Sequence, residues 1–103
     1  MRTTFTSLND LKKNIEIGQK IYIENFVKPE RSRVTQVKNK YSYFFSVENN
    51  EGGESWIING AQNVKNIGAS FNSDFERVDL YFKATNKPFV SLYFNETIIK
   101  GKE

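Results

Sequence analysis

The chain has 103 residues, enough for one domain with a single hydrophobic core, and 15% of them are aromatic. It contains no cysteine and no histidine, which excludes disulfides, thiolate chemistry and the usual general base near neutral pH. The net charge of +3 is too small to identify a nucleic-acid-binding protein by itself. We therefore expect one folded domain over residues 1–103.

A short helix is predicted over residues 7–17. Ser7 occupies the N-cap position, and Asp10 follows three residues later in the capping-box position. Apolar side chains recur at spacings of three and four along the segment: Leu8, Leu11 and Ile15. Gly18 is expected to end the helix in a left-handed conformation. So short a helix needs a sheet to pack against.

The remaining 19–99 region is predicted to be antiparallel β structure. An alternating strand begins near Ile21 and ends before Pro29, and the three-residue spacing of Val34 and Val37 suggests a bulge. Residues 41–47 are expected to form the central strand. Their predicted inward-facing side chains are Tyr41, Tyr43, Phe45 and Val47, which places Phe44 on the outer face.

Turn signals divide the second half of the chain into further short strands. Asn49 to Gly53 predicts a hairpin turn that leads into a strand over 55–58. Residues 61–69 are interpreted as a loop or a single helical turn, residues 76–82 and 89–94 as strands, and residues 97–99 as a short edge strand. The predicted fold is mainly β (α+β), with the N-terminal helix and five or six strands in a curled sheet or a small SH3-like or OB-like barrel.

No residue pattern predicts catalysis, a metal site or a cofactor. Hydroxyl groups are abundant, but no base stands beside them in a recognisable motif. Glu48, Glu51 and Glu54 lack the spacing of a calcium loop, and Gly52-Gly53 lies in a hairpin rather than before a helix. We therefore expect a protein that is not an enzyme and that acts by contact.

Two kinds of contact are open at this point. The basic residues of the segment before the aromatic strand are Arg31, Arg33, Lys38 and Lys40, and basic grooves with aromatic platforms hold single-stranded nucleic acid. Alternatively, Phe44 and Trp56 on neighbouring strands form an exposed aromatic patch with an arginine rim, a composition typical of protein-binding hot spots. Protein binding is the first hypothesis and nucleic-acid binding is the second.

The order of these patterns also resembles a loose group of small proteins encoded by bacteriophages and mobile elements of low-GC Gram-positive bacteria. The residues that carry the resemblance are Leu8, Leu11, Lys12, Gly18, Ile21, Val34, Val37, Ser55, Trp56 and Ile57. The group has no assigned chemistry that could be transferred residue by residue. The resemblance implies an accessory protein that binds and modulates a bacterial host protein, or one that assists phage DNA metabolism.

The expected location is the cytoplasm of the bacterial host. No apolar run reaches the roughly 20 residues of a membrane span, and the N-terminal residues lack the apolar core of a secretory signal.

If both faces of the aromatic hairpin are apolar, the second face is covered by the N-terminal helix, a second copy of the chain or a partner. The expected partners are thus a host protein or nucleic acid, with a homodimer as a further alternative and no membrane.

Overall fold

The computed structural model describes residues 5–103. Three short α-helices, one 3-10 turn and seven strands make up this part of the chain. In chain order they are α1 (Leu8–Asn14), β1 (Lys20–Asn25), the 3-10 turn (Pro29–Arg31), β2 (Arg33–Lys40), β3 (Phe45–Glu48), β4 (Glu54–Trp56), α2 (Ala61–Lys65), β5 (Ile67–Asn72), β6 (Arg77–Phe82), β7 (Lys87–Tyr93) and α3 (Glu96–Lys102).

The seven strands form one antiparallel sheet in the order β4-β3-β2-β1-β7-β6-β5. The sheet is curled and, within residues 5–103, it is not closed into a barrel. The predicted fold class is therefore confirmed in its curled-sheet form, with one or two strands more than expected. The central position belongs to β1, so the prediction that residues 41–47 form the central strand was wrong.

Strand β2 joins two parts of the sheet, with β1, β7, β6 and β5 on one side of it and β3 and β4 on the other. Its first four residues pair with β1, from Ile23 opposite Arg33 to Lys20 opposite Gln36. Its later residues pair with β3, and the register shifts between Val37 and Asn39. A bulge of this kind bends a strand and increases its twist. An irregularity therefore does occur in this strand, but it follows Val37 and does not lie between Val34 and Val37, where the spacing had suggested it.

Helix α1 begins as predicted but is shorter than predicted. The Ser7 hydroxyl accepts a hydrogen bond from the Asp10 backbone N–H at 3.0 Å, which satisfies a donor that the helix leaves free. The helix ends at Asn14, and Gly18 lies beyond it with a φ of 90°. The Gly18 N–H donates to the Val37 carbonyl at 2.8 Å, so this glycine directs the chain into β1 rather than capping α1.

Two other segments differ from their predictions in part or in full. In residues 61–69 the predicted helical turn is present as α2, but the start of the six-residue strand β5 was not predicted. Residues 97–99, predicted as an edge strand, lie in α3. The Asn95 side chain accepts hydrogen bonds from the backbone N–H groups of Thr97 and Ile98, which makes it the N-cap of this helix.

The hydrophobic core lies on one face of the curled sheet, and it includes Leu11 of α1 and Ile15, the residue that follows this helix. Phe44 is 0% exposed and belongs to this core, so its predicted outward orientation was wrong. The reason is local: β3 starts only at Phe45, and the Tyr41 N–H donates to the Phe44 carbonyl in an irregular segment. Strand alternation therefore does not extend back to Phe44, and the rings of Phe44 and Phe45 pack together with centroids 4.5 Å apart.

The two ends of the sheet are unlike each other. Strand β4 has three residues and carries the charged residue Glu54. Strand β5 has six residues, none of which is charged and none of which is proline. Natural sheets usually protect their edges with short strands, charges or proline, so β5 is the less protected end. No helix among residues 5–103 has the length and apolar character needed to cross a membrane.

Candidate functional site

A cavity of about 550 Å³ opens on the concave side, between the half of the sheet that contains β1 and β7 and the half that contains β3 and β4. Its floor consists of buried aliphatic side chains, Ile23, Val47 and Val90. The other residues that line it are Asn25, Glu30, Arg31, Arg33, Asn49, Asn50, Ser55, Trp56, Ile57 and Phe89. The cavity thus combines an apolar floor with a polar, partly basic rim.

Arg33 lies at the start of β2, opposite Ile23 of β1, and its side chain is half-buried. One guanidinium nitrogen, Nη2, donates to the Glu48 carbonyl at 2.8 Å, which ties Arg33 to the end of β3. A guanidinium has five N–H donors in a fixed fork, so most of this donor capacity remains after that bond. Arg33 can therefore serve both as a link between strands and as a cationic group of the cavity.

Arg31 reaches the same cavity from the 3-10 turn. The Asn25 side-chain carbonyl accepts hydrogen bonds from the N–H groups of Val27 and Lys28, and the Ser32 hydroxyl accepts one from the Asn25 N–H. These bonds fix the connection that carries the turn. The Arg31 side chain is exposed, and among the described residues it makes no hydrogen bond or ion pair. It is therefore available to a ligand.

Trp56 joins the cavity to an aromatic cluster, which we define as Tyr41, Tyr43 and Trp56. The rings of Tyr41 and Tyr43 stack with centroids 5.6 Å apart, and Trp56 lies 4.9 Å from Tyr41. Trp56 also lines the cavity and remains 42% exposed. A large ring with one covered and one exposed side is suited to contact with a partner.

The Glu54 carboxylate anchors this aromatic cluster. Its Oε1 atom accepts hydrogen bonds from the Tyr41 hydroxyl at 2.5 Å, the Asn39 amide at 2.6 Å and the Ser46 hydroxyl at 2.7 Å. These bonds, the one from Tyr41 foremost, hold the pKa of Glu54 below its ordinary value. The same hydrogen bond, followed by burial, raises the pKa of the Tyr41 hydroxyl. Glu54 is thus engaged in structure rather than poised for acid–base chemistry.

The six predicted site residues do not form one surface. Arg31, Arg33 and Trp56 come together around the cavity. The remaining three, Lys38, Lys40 and Phe44, do not line it.

Each of these three residues has another environment. The positive charge of Lys38 helps to lower the pKa of Glu54, and the Lys40 ammonium donates to the Lys13 carbonyl of α1 at 3.1 Å. Phe44 lies in the core. The basic segment predicted as a single cationic surface is therefore divided over separate parts of the fold.

Sequence reasoning missed the floor of the cavity and its Phe89 wall. Ile23, Val47 and Val90 read as ordinary inward positions of alternating strands, and nothing in the local pattern distinguishes a residue under a cavity from one under a helix. The cavity is lined by residues from several strands and loops, so it is a property of the whole fold. Of its lining, only Arg31, Arg33 and Trp56 were predicted from the sequence.

The chain thus forms a small, mainly β domain with an open cavity whose lining is partly polar and partly apolar. No protein-family model matches the chain, and neither the curated proteins nor the solved structures include a match to it. The cavity and its lining residues are therefore the basis for a functional proposal.

Proposed function

We propose that this is a non-catalytic binding protein that contacts a bacterial host protein through the cavity and Trp56 and modulates its activity. The resemblance to accessory proteins of phages and mobile elements supports this proposal, and we propose that the protein acts in the host cytoplasm. The observation that carries the proposal is the convergence of Arg31, Arg33 and Trp56 around an apolar floor. Binding of this surface to a regulatory region of the partner would inhibit that partner.

The chemistry of the rim supports a protein partner. Arginine and tryptophan are the residues most enriched at the energetic centres of protein interfaces, because each buries a large area and keeps a polar group for orientation. Here the two arginines reach the cavity from different elements, and Trp56 from a third. Hydrophobic side chains of a partner could then contact the floor while its polar groups meet the rim.

Nucleic-acid binding is the second candidate, favoured by the aromatic cluster. Exposed rings can stack with bases, and Trp56 is exposed beside the half-buried Tyr41 and Tyr43. The positive charge of Lys38 acts on Glu54, which anchors the cluster. The same carboxylate, however, places negative charge next to the rings. Lys40 is also bonded to α1, so fewer cations are free to contact phosphates than the sequence alone indicated.

Affinity capture from a lysate of a low-GC Gram-positive bacterium tests the proposal. We expect the wild-type chain to retain a specific protein and Arg31→Glu to lose it, since Arg31 is exposed and its replacement leaves the core unchanged. Lys83→Glu is the matched control, because Lys83 is also exposed but does not line the cavity. Equal capture by wild type, Arg31→Glu and Lys83→Glu would show that the cavity is not the binding surface.

Fluorescence anisotropy with labelled single-stranded and duplex DNA and RNA separates the second candidate. If nucleic acid were the ligand, binding would fall steeply between about 50 and 200 mM salt, because phosphate contacts release counterions. Under the proposed function we expect no such binding at either salt concentration. Tight, salt-sensitive binding that is lost in Arg31→Glu would replace a protein by a nucleic acid as the ligand.

A further inference from the structure

We infer that the cavity recognises an acidic peptide segment of the partner, with a carboxylate held by Arg31 and Arg33 and a neighbouring aliphatic side chain on the floor. This inference rests on the proposed function and specifies the chemistry of the partner. Three features of the cavity carry it: its net positive charge, its apolar floor and the hydrogen bonds that hold the Arg33 guanidinium and the backbone around Arg31.

The charge of the rim favours an anion. Arg31 and Arg33 line the cavity, and the only acidic residue that lines it is Glu30, so the lining carries a net charge of +1. Arg31 makes no ion pair among residues 5–103, and Arg33 donates to a neutral carbonyl rather than to a carboxylate. A carboxylate from a partner would be the first anion that either guanidinium pairs with. Arginine binds carboxylates through two parallel hydrogen bonds, which gives direction as well as affinity.

The floor favours a peptide over other anions. Ile57 and Phe89 are half-buried and present most of the apolar surface, and the more deeply buried Ile23, Val47 and Val90 add little to it. A volume of about 550 Å³ lies within the range of sites that enclose small ligands, and it can hold a carboxylate together with one aliphatic side chain. A nucleic-acid strand would instead need a track of cations for successive phosphates, and two arginines do not supply one.

Hydrogen bonds within the protein hold the backbone around Arg31 and the guanidinium of Arg33 before any ligand arrives. The side chains of Asn25 and Ser32 fix the connection that leads to the 3-10 turn and thereby place Arg31. The bond from Arg33 to the Glu48 carbonyl fixes the second guanidinium. A preorganised site spends less of its binding free energy on ordering its own side chains. The cavity is therefore arranged to accept a ligand without refolding.

Two peptides that differ only in whether the central side chain ends in a carboxylate or an amide test the inference. We would titrate the ¹⁵N-labelled protein with acetyl-Leu-Glu-Leu-amide and with acetyl-Leu-Gln-Leu-amide and follow the amide signals of Arg33, Val47 and Val90 by NMR. The glutamate peptide should shift these signals at concentrations where the glutamine peptide does not. Arg31→Gln should weaken binding of the glutamate peptide about tenfold or more, because it removes a charge-assisted hydrogen bond. Lys83→Gln, which removes the charge of an exposed residue that does not line the cavity, should leave that binding unchanged.

Each outcome bears on a different part of the inference. Equal binding of both peptides, or no binding of either up to about 5 mM, would overturn the assignment of a carboxylate. Stronger shifts of the same signals by a single-stranded oligonucleotide would overturn the assignment of a peptide. A captured host protein whose binding survives Arg31→Gln but not Trp56→Phe would overturn this inference and leave the proposed function in place. Selective binding of the glutamate peptide without any captured host protein would instead overturn the proposed function.

Discussion

Replacing Phe44 with alanine tests where this ring lies, because strand alternation and the structure give opposite answers. Phe44 is 0% exposed and packs against Phe45. A buried phenylalanine removes about 150–250 Å² from water, and truncation of such a ring to alanine costs about 3–5 kcal/mol. A domain of this length has a free energy of unfolding of about 5–15 kcal/mol, so the loss would be a large share of its stability. The expected fall in melting temperature is about 12 °C or more.

Urea denaturation followed by tryptophan fluorescence measures this loss, since Trp56 is the single tryptophan of the chain. Phe26→Ala is the matched control, because Phe26 keeps 47% of its surface exposed and should lose much less stability on truncation. Phe44→Leu keeps most of the apolar volume and should remain folded even where Phe44→Ala does not. A loss below about 1 kcal/mol for Phe44→Ala would refute the core position, since it is the size expected of a surface substitution.

Three further predictions concern other parts of the fold. Because the folded pKa of Glu54 is lowered, its charge should stabilise the fold above the ordinary pKa of 4.5, and this contribution should be lost as the pH falls through the lowered pKa. Urea denaturation across this pH range should therefore show that the free energy of unfolding of wild type exceeds that of Glu54→Gln above pH 4.5, and that this difference shrinks on acidification. A difference that does not change with pH would contradict this. Gly68→Ala should cost about 1–3 kcal/mol, because its new Cβ would lie 2.3 Å from Cζ of the Tyr81 ring, and a Tyr81→Ala background should relieve the cost in a double-mutant cycle. A second copy of the chain would pair along the uncharged edge of β5, so analytical ultracentrifugation should show self-association at high concentration that Ser70→Lys suppresses. Equal association of wild type and Ser70→Lys would exclude this edge.

The parts of the fold that could be predicted are those in which a local pattern has one physical meaning. The N-cap at Ser7 and the turn between β3 and β4 were found because each depends on a few adjacent residues. Strand β5 was missed because the three-residue spacing of Val64 and Ile67 suggested a helical turn, which concealed the alternation that starts at Ile67. Helix α3 was taken for a strand because its isoleucines favour strands, although Asn95 is a recognisable N-cap.

The candidate site was less predictable than the fold, because its residues come from separate elements. Sequence reasoning grouped Arg31, Arg33, Lys38 and Lys40 by their proximity along the chain. The bulge in β2 then separates them, since the register shifts between Val37 and Asn39. A shift of one residue reverses the face to which later side chains point. Proximity in sequence therefore overestimated the size of the basic surface.

The two arginines that remain at the cavity should also differ in what they contribute. Arg33 bridges β2 to the end of β3 through the Glu48 carbonyl, so its replacement would affect both the folded state and the ligand. The Arg31 side chain makes no such bond among residues 5–103, and its replacement should affect the ligand alone. A binding defect in an Arg31 variant that unfolds like wild type would thus isolate the recognition step. The same defect in an Arg33 variant would not, because Arg33 also bonds to the Glu48 carbonyl at the end of β3.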